Sequence, residues 1–299
     1  MEDSQRYLNP LTLANLEGLD LQARMVVEGY VSGLHASPYH GFSVEFAEHR
    51  EYVPGDDIRH VDWKVWSKTD KLYLKQYEEE TNLLTYLLLD TSESMAYASP
   101  GNVSKLRYAQ FVAASLGYLV LQQQDSVGLA TFDETIRRYL KPSGTPSQLK
   151  ELIHLMEVEP ARHKSDVGSV FHDIADRFKK RGVVVVLSDL FDDPARIIAG
   201  LRHFRHRRHE VIVFHILDPA ELDFPFRDTT LFKGLEGMPD VLTEPHSLRK
   251  AYQAELGEFL DQLKRGCRMA DIDYVPLRTD QDLGLSLSTY LASRGLRTR

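Results

Sequence analysis

Cysteine is nearly absent and long apolar runs are missing, and both shortages limit what this chain can be. Cys267 is the single cysteine among 299 residues, which excludes an internal disulfide and a metal site built from several thiolates. The longest apolar runs, residues 83–89 and 183–187, are far shorter than the roughly 18 residues of a membrane span. The first residues are polar and acidic and lack the order of a signal peptide. We therefore expect a cytoplasmic protein without a membrane span.

Basic residues are outnumbered by acidic ones, and several well-known catalytic motifs are absent. Acidic residues number 44 against 36 Lys and Arg, for a net charge of −8, so we expect no nucleic-acid partner, which would need a concentrated basic surface. The one basic cluster, residues 202–210, is interpreted as a solvated helix face with its following loop. No Gly-x-x-x-x-Gly-Lys-Ser/Thr loop, Gly-x-Gly-x-x-Gly turn or His-Glu-x-x-His pair occurs. Their absence excludes P-loop nucleotide hydrolysis, dinucleotide binding and zinc-protease chemistry of these kinds.

What the sequence does contain, from residue 83 onward, is a regular alternation of apolar strands and helices. The strands are predicted at residues 83–89, 127–132, 183–187, 211–217 and 272–275, and a short partner of the second strand is predicted at residues 136–140. This alternation predicts an α/β fold whose mostly parallel, doubly wound sheet carries helices on both faces. We expect the first of these strands at the centre of about six, flanked by the second and the third.

The N-terminal part follows a different pattern. Apolar residues at helical spacing predict a helix over about residues 10–32. A stretch rich in Gly, Pro, Ser, His and Asp follows, and it predicts loops and short strands, one of them at residues 72–77. The predicted organisation is therefore a small helix and short-strand segment over residues 1–80 and an α/β domain over residues 81–299.

Oxygen-bearing side chains follow two of the predicted strands at the points where the strands end. Asp90 ends the first strand, Ser92 and Ser94 follow at alternate positions, and Asp189 comes directly after the strand at 183–187. Ligands of such sheets gather at the carboxyl ends of the strands. Carboxylates with hydroxyls suit a hard cation, Mg²⁺ first, with Mn²⁺ or Ca²⁺ as alternatives. Ser165, at the mouth of a predicted helix, is the fifth candidate ligand.

Four of these five residues also have a purely structural interpretation. Asp90 and its two serines can cap the helix that follows them, and Ser165 taken alone is better explained as an N-cap. The metal interpretation depends on Asp90, Asp189 and Ser165 occurring together at strand and helix edges.

The pattern Asp90-x-Ser92-x-Ser94, followed along the chain by Ser165 and then Asp189, resembles the metal-ion-dependent adhesion site of von Willebrand factor A domains. The resemblance covers about residues 83–293 and implies a doubly wound α/β fold. In those domains the hydroxyls contact Mg²⁺ directly, and the aspartates often act through water. Ser165 occupies the position where the pattern usually has Thr. The replacement retains a hydroxyl, so this position can still supply a metal ligand.

The N-terminal third resembles a bacterial family called domain of unknown function 58. The resemblance rests on Gly-Phe-Ser-Val-Glu-Phe at residues 41–46, Arg-Glu-Tyr at 50–52, Gly-Asp-Asp-Ile-Arg at 55–59 and Val-Asp-Trp at 61–63. Many members carry two N-terminal membrane helices, and this chain resembles a soluble version. Members are commonly encoded beside MoxR-type AAA+ ATPases. The resemblance therefore implies a role with such an ATPase in assembling or activating other proteins.

Part of this signature has two interpretations that the sequence does not separate. It comprises five residues: Asp56, Asp57, Arg59, Asp62 and Trp63. In the structural interpretation the two adjacent aspartates bond turn amides, the arginine pairs with a carboxylate and the tryptophan anchors the small segment. In the functional interpretation the segment is a second recognition surface.

Together these patterns predict a Mg²⁺-assisted protein-binding module that is not an enzyme, with a MoxR-type AAA+ ATPase or its client as partner. Two alternatives stay open. One is a Mg²⁺-dependent hydrolase, for which Asp192 and Asp193 are the nearby spare carboxylates. The other is a structural interaction protein that binds no metal.

Overall fold

The computed structural model describes residues 83–158, 167–235 and 238–297 continuously, and before them residues 19, 23, 27, 49–53, 63, 65, 66 and 72–75. The chain divides into two compact units, residues 1–34 with 83–299 and residues 35–82. In the second unit, strand β1 (His49–Glu51) pairs antiparallel with β2 (Tyr73–Lys75). The boundary after residue 80 that the sequence suggests stays a prediction.

A six-stranded sheet forms the centre of the first unit. Its strands are β3 (Leu84–Asp90), β4 (Ser126–Phe132), β5 (Ile136–Ser143), β6 (Val183–Ser188), β7 (Glu210–Leu217) and β10 (Asp273–Arg278), and a separate hairpin pairs β8 (Thr230–Phe232) with β9 (Val241–Thr243). The order across the sheet is β10-β7-β6-β3-β4-β5. All neighbours are parallel except β4 and β5. The predicted central strand and its two predicted neighbours are therefore confirmed.

Helices cover both faces of this sheet. They are α1 (Lys105–Gln122), α2 (Gln148–Val158), α3 (Val167–Arg177), α4 (Pro194–His206), α5 (Pro219–Asp223), α6 (Pro245–Met269) and α7 (Leu283–Arg297). Side chains of β3 alternate between two cores: Leu87 and Leu89 pack with α1, α2 and α7, whereas Tyr86 and Leu88 pack with α3, α4 and α6. This period of two, with both faces apolar, is what a buried parallel strand requires. The predicted doubly wound α/β fold, with a mostly parallel sheet and helices on both faces, is confirmed.

The N-terminal segment contributes to the first of these cores. Leu19 and Ala23, four residues apart, are helical and buried there, and Val27, another four residues along, is also helical and buried. That spacing places three side chains on one helix face, as the sequence pattern indicated. None of the helices in the described parts of the chain is long and apolar enough to cross a membrane.

Candidate metal centre

The strand ends bring together four of the five residues that the sequence proposes as metal ligands. Asp90 is the last residue of β3, and Asp189 directly follows β6, its parallel neighbour. Ser92 and Ser94 lie in the turn after β3, where a short 3-10 helix begins. All four residues are more than nine-tenths buried. Ser165 lies outside the described residues.

Neutral donors surround the carboxylate of Asp90. The backbone N–H of Ser92 donates to Asp90 Oδ1 at 2.9 Å, and the hydroxyl of Ser188 donates to Asp90 Oδ2 at 2.5 Å. Ser188 Oγ also accepts from the backbone N–H of Leu190 at 2.8 Å, which steadies Leu190 in a left-handed conformation with φ 52°. Ser92 Oγ lies 3.1 Å from Ser94 Oγ. These bonds hold the turn so that the hydroxyls of Ser92 and Ser94 and the carboxylate of Asp90 lie together in one buried cluster.

An ammonium group, by contrast, holds the carboxylate of Asp189. Lys105 Nζ donates to Asp189 Oδ2 at 2.7 Å and to Glu221 Oε1 at 2.5 Å. Asp189 Oδ1 is buried and has no hydrogen-bond partner within the described part of the chain. Buried carboxylate oxygens are normally paired, so this one has capacity for a further ligand.

The two carboxylates consequently ionise differently. Burial, followed by the nearby charge of Asp189, raises the pKa of Asp90 to about 7. Burial also tends to raise the pKa of Asp189, but Lys105 and the Ser94 hydroxyl lower it by more, and its pKa falls below the usual value. Burial tends to lower the pKa of Lys105, but Asp189 and Glu221 together raise it above its usual value. The lysine is therefore charged and Asp189 is an anion at neutral pH.

A buried histidine contacts the backbone of Asp189. Burial lowers the pKa of His215 to about 4, so its ring is neutral at pH 7. Its Nε2 lies 2.8 Å from the carbonyl oxygen of Asp189, and its Nδ1 lies 2.6 Å from the hydroxyl of Tyr274. Since a carbonyl only accepts, Nε2 carries the proton and donates, and the Tyr274 hydroxyl donates to Nδ1.

These oxygen atoms meet the chemical requirements of a hard cation. The unpartnered Asp189 Oδ1 and the two adjacent serine hydroxyls are the ligand types that Mg²⁺ prefers. Among the described residues, those of this cluster included, no group of three or more His, Cys, Asp or Glu is arranged to hold a metal. A cation at this site would therefore depend on the serines.

Sequence reasoning did not identify the residues that hold the candidate ligands in place. Lys105, Ser188, His215 and Glu221 contact the site from four different segments of the chain. One local signal was available for the lysine. It occupies the first turn of α1, where a cation is disfavoured by the helix dipole.

Of the five signature residues with two interpretations, only Trp63 is among the described residues. Asp56, Asp57, Arg59 and Asp62 lie outside the described residues. Trp63 is 57% exposed, and its ring meets that of Trp66 edge to face at 6.0 Å between centroids. Both interpretations of this segment stay predictions.

Curated relatives with similar sequences come from mycobacteria. Uncharacterized protein Rv1480 of Mycobacterium tuberculosis is 26% identical to this chain over 290 residues, which cover 96% of this chain and 90% of that protein. Uncharacterized protein Mb1516 of Mycobacterium bovis matches over the same length with the same identity.

Three solved structures are similar to parts of the chain. The conserved hypothetical protein BatB from Bacteroides thetaiotaomicron has a TM-score of 0.46 and 12% identity, covering 71% of this chain and 98% of that chain. An aerotolerance-related membrane protein from Bacteroides fragilis has a TM-score of 0.43 and 16% identity, covering 71% and 97%. The VWA domain of SpRpn10 has a TM-score of 0.38 and 15% identity, covering 69% and 93%.

The expectation of a cytoplasmic location was wrong as an inference from the sequence. It rested on the absence of an apolar run, yet the similar protein from Bacteroides fragilis is named as a membrane protein. A folded α/β domain presents the same polar surface whether or not its protein is associated with a membrane. The lack of an apolar span therefore does not identify the compartment.

Family membership rests on a match of sequence profile. The profile of the family described as Protein of unknown function DUF58 matches residues 48–258, which is more than half of the chain. The matched stretch contains the β3 turn with Asp90, Ser92 and Ser94, and it also contains Asp189 and Lys105. The chain therefore belongs to the family Protein of unknown function DUF58.

Proposed function

We propose that this protein is a Mg²⁺-dependent protein-binding module whose binding site is the cluster at the ends of β3 and β6. The observation that carries the proposal is the buried Asp189 Oδ1, which has no hydrogen-bond partner among the described residues and lies in a cluster with two serine hydroxyls. An ion with oxygen ligands would satisfy this atom.

The chain's own residues would share the work of binding in a definite way. Ser92 and Ser94 would offer neutral hydroxyl oxygens, and Asp189 would offer one carboxylate oxygen. Asp90 would hold the turn through the backbone N–H of Ser92. A Mg²⁺ ion supplies a positive charge that so few carboxylates do not fully neutralise, and it leaves a coordination position for an acidic side chain of a partner.

As the partner we propose a MoxR-type AAA+ ATPase or its client protein, in the assembly or activation of other proteins. Support for this choice comes from the family, whose members are commonly encoded beside such ATPases. The chemistry of the site adds one requirement, namely that the partner presents a carboxylate.

The geometry gives little support to the alternative of a hydrolase. Asp193 caps α4 by accepting from the backbone N–H groups of Ala195 and Arg196. Asp192 accepts from the backbone N–H of Gly168. His215 uses both ring nitrogens, so none of these three groups is free to act as a general base.

One observation favours the second alternative, an interaction module that binds no metal. Lys105 already supplies a positive charge to Asp189, in the place where a cation would act. In that case partner binding would be independent of Mg²⁺, which makes the two proposals distinguishable.

The test is the affinity for the purified MoxR-type ATPase encoded in the same genome, measured by biolayer interferometry at constant Mg²⁺. Site variants are preferable to a chelator, because a chelator also removes Mg²⁺ from the ATPase nucleotide. Asp189→Asn and the double variant Ser92→Ala/Ser94→Ala should each weaken binding by at least about tenfold. Ser147→Ala, at an exposed serine on the same chain, should bind like the wild type.

Equal affinity of the site variants and the wild type would reject the metal-dependent mechanism and favour the metal-free module. Absence of binding by the wild type itself would reject this partner. Circular dichroism of each variant shows whether the fold has been retained.

A further inference from the structure

Lys105 occupies an unusual position for a charged side chain. It is the first residue of α1, a helix of 18 residues, and its side chain is only 3% exposed. Lysine is rarely buried without partners, and a cation at a helix N-terminus opposes the helix dipole. Helix formation alone therefore does not explain a lysine at this position. The contacts of its side chain explain it.

The ammonium of Lys105 joins two carboxylates from different segments. It lies 2.7 Å from Asp189 Oδ2, after β6, and 2.5 Å from Glu221 Oε1, in α5. Glu221 is itself held in place, since its Oε2 accepts from the backbone N–H of Asp218 at 2.8 Å as part of a capping box. The lysine thus has a second, fixed acceptor that is not one of the candidate metal ligands.

We infer that Lys105 and a divalent cation compete for Asp189, with Glu221 as the acceptor that retains the ammonium when the cation binds. This inference rests on the proposed metal-binding function. In the metal-free protein the lysine neutralises Asp189 and keeps the centre folded. On binding, the cation takes Asp189 and the ammonium remains paired with Glu221.

The physical basis is repulsion between like charges in a buried place. A divalent ion at Asp189 Oδ1 would share a single carboxylate with the ammonium bound at Oδ2. Such repulsion is weakly screened by water or salt because the groups are buried. Lys105 therefore lowers the affinity of the centre for metal, and an acidic side chain from a partner would offset that effect.

Competition makes two predictions of opposite sign. Lys105→Met removes the competing cation and should bind Mn²⁺ at least about tenfold more tightly than the wild type. Glu221→Gln removes the alternative carboxylate, so the ammonium stays at Asp189 and Mn²⁺ binding should weaken. A merely structural role of the ion pair would weaken binding in both variants.

The experiment is a titration of metal-free protein with MnCl₂, followed by electron paramagnetic resonance of free Mn²⁺. Lys105→Met leaves two carboxylates without their cation, so the double variant Lys105→Met/Glu221→Gln provides a form with one fewer anion, which folds more readily. It should also bind Mn²⁺ more tightly than the wild type. Lys150→Met, at an exposed lysine on α2, is the matched control and should leave the affinity unchanged.

The outcomes separate this inference from the function on which it rests. Wild type that binds Mn²⁺, with Lys105 variants that bind no more tightly, would reject competition and leave the metal site intact. Failure of all forms to bind Mn²⁺ would reject both. Tighter binding by the Lys105 variants and weaker binding by Glu221→Gln would support the inference.

Discussion

The candidate metal centre has two halves that stabilise a buried carboxylate in different ways. The hydroxyl half surrounds its carboxylate with neutral donors and consists of Asp90, Ser92, Ser94 and Ser188. The lysine half pairs its carboxylate with an ammonium and consists of Asp189, Lys105 and Glu221. The two halves adjoin because β3 and β6 are parallel neighbours that end at the same edge of the sheet.

Comparison of the two halves shows that hydrogen bonds alone do not keep a buried carboxylate of this centre charged. Three hydrogen-bond contributions from Ser188 and Ser92 lower the pKa of Asp90, yet burial and the charge of Asp189 raise it to about 7. In the lysine half the pKa of Asp189 is lowered, because Lys105 supplies an opposite charge. Positive charge is therefore lacking in the hydroxyl half, where the two serine oxygens lie.

The largest expected effect comes from removing the lysine in the absence of metal. Lys105→Met leaves Asp189 and Glu221 without their cation, and breaking a buried pair in this way should lower the free energy of unfolding by about 3–5 kcal/mol. Urea denaturation in a chelating buffer measures the loss. Lys150→Met, which changes an exposed lysine, should shift the free energy by less than about 0.5 kcal/mol. Similar stabilities for the two variants would show that the ion pair contributes little.

A smaller effect should follow from weakening the hydroxyl half. Ser188→Ala removes the hydroxyl that donates to Asp90 Oδ2 and accepts from Leu190 N–H. The loss should be about 1–3 kcal/mol, because a buried acceptor and a buried donor lose their partner. The same denaturation experiment, with Ser147→Ala as the exposed control, tests this. A loss as large as that of Lys105→Met would erase the proposed difference between the halves.

A third effect concerns pH and Asp90. Its folded pKa of about 7 lies above the usual value of 3.8, so the folded state holds the proton more tightly than the unfolded state. The resulting stability is fully present below about pH 4 and is lost as pH rises through about 7. Asp90→Asn removes this loss, and its melting temperature at pH 8 should exceed the wild-type value by several degrees. At pH 4 the two proteins should melt alike in chelating buffer. A constant difference at all pH values would contradict the raised pKa.

The fold could be predicted from the sequence because its strands are apolar runs at regular intervals. The placement of Asp90 beside Asp189 followed from the same pattern, since Asp90 ends one buried parallel strand and Asp189 directly follows its neighbour. The lysine half could not be predicted in this way. Lys105 meets Asp189 and Glu221 across 84 and 116 residues of sequence, and no local periodicity encodes such a contact.

Two short elements were also beyond sequence reasoning. Helix α5 has five residues and is defined by the capping box between Asp218 and Glu221, which is too short for a helical period to be detected. Strands β8 and β9 have three residues each, and their alternation is equally undetectable. Helix α5 matters for the site because it supplies the glutamate that binds Lys105.

Calorimetric titration of metal-free protein with Mg²⁺ tests the central claim most directly. We expect a single site in the wild type that is lost in Ser92→Ala/Ser94→Ala, while circular dichroism and melting temperature show that the fold is retained. Ser147→Ala should bind as the wild type does. Absence of binding by the wild type, or equal binding by the double serine variant, would contradict the assignment of a metal centre to the ends of β3 and β6.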